Sequence, residues 1–97
     1  MTITAPVGAA ASGFDPDKAD APANVDFQIT FDNQDNQAPH NLVVQDGNGA
    51  NVPTTGDTAP FQGPSQKTYM IKALSAGTYK FICQVHPTTM VGELTVK

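Results

Sequence analysis

The chemistry in this chain gathers in one short stretch, Cys83-Gln-Val-His86-Pro-Thr-Thr-Met90. It holds the only cysteine of the sequence and one of its two histidines. The other histidine, His40, lies far upstream in Ala38-Pro-His-Asn-Leu-Val-Val44. A Cys thiolate, two imidazoles and a distant thioether make up the ligand set of an electron-transfer copper site. In such a set the thiolate donates strongly to Cu(II), the imidazoles suit both oxidation states, and the soft thioether helps to hold Cu(I). With His40, Cys83, His86 and Met90 as ligands, no coordination position remains for a substrate. The spacing therefore points to electron exchange at a single copper ion and away from an enzyme.

Those four residues need elements that bring them together. Val25, Phe27, Ile29 and Phe31 alternate with Asp26, Gln28, Thr30 and Asp32, which predicts a strand with one buried face. Asn33–Pro39 is polar and ends in proline, so it reads as a loop. A second strand is expected from His40, with His40, Leu42 and Val44 on its inner face. The Gly- and Pro-rich connection 46–65 leaves room for a short edge strand near Asn51–Val52. Strands follow at Gln66–Lys72, at Thr78–Cys83 with Tyr79, Phe81 and Cys83 inward, and from about Met90 to Lys97. His40 and Cys83 then both face the interior at a strand end, where two ligands can meet. Residues 1–24 read as an irregular arm with a short strand near Ile3–Val7, and the only helix candidate spans Asp15–Ala21. Short strands between turn signals predict an all-β antiparallel sandwich or barrel.

Composition narrows the function classes. Five lysines, no arginine and a net charge of −4 leave no basic stripe for nucleic acid. No apolar run approaches the roughly 18 residues that span a bilayer. Residues 2–12 are mildly apolar but follow no Lys or Arg, so a secretory signal is absent or already removed. The alanine- and proline-rich start also fits a fragment of a larger protein.

Other readings of the same residues are weaker. A free cysteine is often a small buried hydrophobe, but His86 and Met90 in register argue otherwise here. Structural zinc usually takes four Cys or His ligands, and the chain has three. A Cys–His nucleophile would lack an obvious oxyanion hole and leave Met90 unexplained. A copper-delivery module would be expected to present exposed Met or Cys clusters, whereas here one Cys and one Met sit in a compact motif.

The sequence resembles the plastocyanin and amicyanin branch of the cupredoxin family over roughly residues 12–97. Matching stretches are Phe31-Asp-Asn-Gln-Asp, Ala38 through Val44, Gly77-Thr-Tyr-Lys-Phe-Ile-Cys83, and His86 through Met90-Val-Gly-Glu-Leu-Thr-Val96. The resemblance implies a Greek-key β-sandwich of about eight strands with copper at one end. Residues 1–11 would be an arm or first short strand and 12–97 a single copper-binding domain. His40, Cys83 and His86 would be the close ligands and Met90 the axial one. Asn41 would tie the two ligand loops together. His86 would be the exposed edge for electron passage, with Pro39, Val85 and Pro87 around it docking a redox protein partner. The resemblance further implies a monomer in an extracytoplasmic, periplasmic or membrane-anchored setting. The spacing departs from both relatives: plastocyanins have one more residue between the second histidine and the methionine, and amicyanins one fewer. A copper-delivery role, or a relay domain cut from a larger copper oxidoreductase, is the alternative function.

Overall fold

A computed structural model describes residues 1–97. Two four-stranded sheets face each other. The first is built from β1 (Thr2–Ala5), β3 (Phe27–Asn33), β6 (Ser65–Ile71) and β5 (Thr54–Thr55), in the order β1-β3-β6-β5. The second contains β2 (Lys18–Ala21), β8 (Val91–Val96), β7 (Gly77–Ile82) and β4 (Val43–Gln45), in the order β2-β8-β7-β4. The chain changes sheet after β1, β2, β3, β4 and β6, as a Greek-key sandwich requires.

Period-two alternation builds the core. Phe27, Ile29 and Phe31 of β3 are buried, as are Tyr69 and Ile71 of β6. Phe81, Leu94 and Val96 meet them from the other sheet. Phe14 joins the layers edge-on, with ring centroids 5.9 Å from Phe31 and 5.3 Å from Phe81. Gly92 pairs with Phe81 across β7 and β8, and a Cβ there would strike the Phe81 ring. The aromatic ring occupies the space a side chain would need, which explains the glycine.

Several expectations need correction. The sheets are mixed, because β1 pairs parallel with β3 and β2 parallel with β8. Parallel neighbours need long crossover connections, and local sequence carries no signal for such pairing. The helix expected over Asp15–Ala21 is absent: Asp15 bridges Thr4, and Lys18–Ala21 forms β2. Pro16 is compatible with a first helical turn, but β8 supplies the backbone partners that make Lys18–Ala21 a strand. The one helix, α1 (Ala9–Ser12), lies between Gly8 and Gly13, both with positive φ. β1 is shorter than expected, and Val7 is 60% exposed. Val25, expected to face inward, is 51% exposed, since β3 begins only at Phe27, after a turn through left-handed Asn24. The edge strand falls at Thr54–Thr55, while Asn51 makes only a single bridge to Gln45. No helix is long and apolar enough to cross a membrane.

Candidate metal centre

β7 delivers Cys83 to one pole of the sandwich, and β8 begins again just after Met90. Ile82 and Val91 are the last paired residues of that hairpin. Beyond them the Cys83 N–H donates to the Met90 carbonyl at 3.0 Å. Inside the loop, the His86 N–H donates to the Cys83 carbonyl at 3.2 Å and the Met90 N–H to the His86 carbonyl at 2.9 Å. The eight-residue segment 83–90 is thus a tightly turned, hydrogen-bonded unit. Its tip is anchored from outside by the Thr89 hydroxyl, which donates to the Ala10 carbonyl at 2.6 Å.

His40 arrives from the other side. It lies ahead of β4, which starts at Val43, and not within a continuous strand. A two-way backbone bridge to Phe61 holds it, with N···O distances of 3.0 and 2.9 Å. Every residue from His40 to Val44 is buried, so alternation does not sort the faces here. Asn41 is covered because its side chain works inward. Its amide donates to the Thr58 carbonyl at 2.9 Å and to Gln84 Oε1 at 3.1 Å, and its Oδ1 accepts the Gln84 N–H at 2.8 Å.

The donors converge. Cys83 Sγ is 3.9 Å from His40 Nδ1 and 3.8 Å from His86 Nδ1. One ligand atom from each of the three residues lies within 4.8 Å of the others. Sulfur and nitrogen bound to one first-row divalent ion, at about 2.3 and 2.0–2.1 Å and roughly 120° apart, are separated by about 3.8 Å. The observed spacings are those of atoms sharing an ion and are long for direct hydrogen bonds. His40, Cys83 and Met90 are fully buried, and His86 is partly exposed. The set is one thiolate, two imidazoles and one thioether, arranged as a type 1 copper site, and it fits copper on donor chemistry. No surface cavity is lined by any of the four residues.

Sequence reading overlooked Asp35, which it placed in an unremarkable polar loop. Asp35 is 1% exposed, and its Oδ2 lies 2.7 Å from His40 Nε2, on the ring edge away from Cys83. Its Oδ1 accepts the Gln37 N–H at 2.9 Å, and the Gly8 backbone N–H also meets the carboxylate. The His40 hydrogen bond foremost holds the Asp35 carboxyl below its usual range, against the opposing effect of burial. Buried Asn33 completes the brace: its amide donates to the Phe61 carbonyl at 2.7 Å, and its Oδ1 accepts the Asp35 N–H at 3.0 Å. The available signal was an acid five residues before a candidate ligand, which sequence alone does not distinguish from a solvated loop residue.

A single-ion centre made of two strand-end loops at the pole of a β-sandwich defines a class of mononuclear metalloprotein. The chain matches the cupredoxin-like domain family over residues 2–96 and belongs to it. The match takes in β1, ahead of the segment from residue 12 on which the resemblance rested. Among solved structures it is similar to a purple cupredoxin from Nitrosopumilus maritimus, with 27% identity and a TM-score of 0.72 over 99% of this chain and 98% of that one. It is also similar to a dithionite-reduced auracyanin from Roseiflexus castenholzii, at 20% identity and TM-score 0.81 over 99% and 94% of the two chains. Auracyanin A, a "blue" copper protein from Chloroflexus aurantiacus, shares 21% identity with a TM-score of 0.81 over 100% and 97%. No curated protein matches the sequence.

Proposed function

We propose that this protein is a one-electron carrier whose single type 1 copper ion would be held by His40, Cys83, His86 and Met90. The observation that carries this reading is the meeting of one thiol and two imidazole nitrogens within 4.8 Å, beside a loop that also ends in a buried methionine. Copper supplies the one-electron step by passing between Cu(II) and Cu(I). The chain supplies a fixed cage. His40 is locked between Phe61 and Asp35. Cys83 and Met90 are joined through their backbones, and Asn41 ties the two ligand segments to each other. Outer hydrogen bonds of this kind fix ligand orientation, and a cage that changes little between oxidation states lowers the barrier to electron transfer.

His86 is the ligand with an exposed edge, so electrons enter and leave there. Around it Pro39 and Pro87 are exposed and Val85 is 42% exposed. This rim is the docking surface for a redox protein partner, and the chain works as a monomer, outside the cytoplasm, without turning over a substrate of its own. The purple and blue copper proteins among its structural relatives support the reading. Copper-loaded protein is expected to show intense visible absorption from thiolate-to-copper charge transfer, with a matching paramagnetic resonance signal. A colourless protein that holds its copper tightly would overturn the proposal.

A further inference from the structure

The contact between Asp35 and His40 joins two fully buried polar groups with opposite needs. A carboxylate with 1% exposure must collect donors, since an unpaired buried charge is costly. It finds the Gln37 and Gly8 backbone N–H groups, and its remaining near neighbour is His40 Nε2 at 2.7 Å. A carboxylate can only accept. The short contact therefore places a hydrogen on Nε2, so the nitrogen left to bind a metal is Nδ1. Nδ1 is the nitrogen 3.9 Å from Cys83 Sγ.

Resting on the copper reading above, we propose that Asp35 is the positioning residue of this centre: it holds His40 in the Nε2–H tautomer with Nδ1 directed at the metal, and places a fixed negative charge behind that ligand. The Asn33 side chain makes this possible, because its contacts to Asp35 and Phe61 hold the acid and the His40 bridge in one frame. Gly63 belongs to the same frame. Its N–H donates to the Asp35 carbonyl at 2.8 Å, and a Cβ there would collide with the Asn33 and Asp35 backbone. A carboxylate on the far side of an imidazole ligand raises its basicity and fixes its orientation. Such a charge favours the more positive oxidation state of a nearby ion, so Asp35 holds the reduction potential down.

The test has three readouts. Long-range proton–nitrogen NMR of metal-free protein reads the His40 tautomer directly, and Nε2–H is expected. Zn(II), a redox-silent probe, should bind Asp35→Ala about 10–100-fold more weakly than wild type. Copper-loaded Asp35→Asn should keep its colour and show a higher reduction potential. A His40 ring found as the Nδ1–H tautomer overturns the proposal, and so does Asp35→Asn with unchanged potential together with Asp35→Ala of unchanged Zn(II) affinity. If neither variant folds, the wild-type tautomer decides alone. A wild-type protein that shows Nε2–H but takes up copper without a charge-transfer band would refute the copper reading and leave the Asp35–His40 assignment standing.

Discussion

The Cys83 N–H donates to the Met90 carbonyl at 3.0 Å, so the two sulfur-bearing residues are joined one step beyond Ile82 and Val91, the last paired residues of the β7–β8 hairpin. Their side chains are both fully buried. The loop between them is held at its base by this hairpin and farther along by the Gln84–Asn41 and Thr89–Ala10 hydrogen bonds.

Cys83→Ser should abolish the intense visible band, because a hydroxyl is a poor substitute for a thiolate donor. Absorption and paramagnetic resonance spectra of the copper-loaded variant check this. A retained band would remove Cys83 from the ligand set.

Met90→Gln should retain copper at a lower reduction potential, since an amide oxygen favours Cu(II) over Cu(I). Voltammetry beside wild type reads the shift. An unchanged potential and spectrum would mean that Met90 is no ligand and only fills the core.

Asn41→Ala removes three hydrogen bonds at once and strands the Gln84 N–H. Losing a buried partner costs about 1–3 kcal/mol, so urea unfolding of metal-free protein should show a loss of that order. The copper-loaded variant should also show altered spectra, because the two ligand segments lose their tie.

Tyr69 offers a pH test away from the metal. Its side chain is buried, its hydroxyl meets no protein hydrogen-bond partner, and burial pushes its pKa up to about 12. The unfolded phenol ionises near 10, so between about pH 10 and 12 the folded chain binds the extra proton. Burial of the phenol therefore costs nothing through ionisation below pH 10 and progressively destabilises the fold as pH rises from about 10 through about 12. Tyr69→Phe should be neutral or stabilising at pH 7 and should flatten the alkaline loss, as read from unfolding curves at pH 8 and 11. Equal alkaline slopes in the two proteins would refute this account.

The legible parts of the fold were those written in short-range pattern. Phe27, Ile29 and Phe31 announced β3 through alternation, and Cys83, His86 and Met90 announced the loop through spacing. His40 was found by residue type, although its burial comes from the Phe61 bridge and not from a regular strand. What escaped depended on distant partners. β2 owes its existence to β8, and Val25 is turned out by the Asn24 turn. Asp35 became part of the centre only once the chain had folded it against His40, and no local pattern separates it from Asp32 or Asp46.

The brace on Thr89 has a practical side. The segment 83–90 holds three of the four donors, which invites transplanting it as a cassette into another sandwich. Its tip, however, is fastened to Ala10 in the N-terminal stretch, and its first turn to Asn41. A host would receive the donor atoms without the fasteners, and its own framework would dictate the colour and potential of the hybrid.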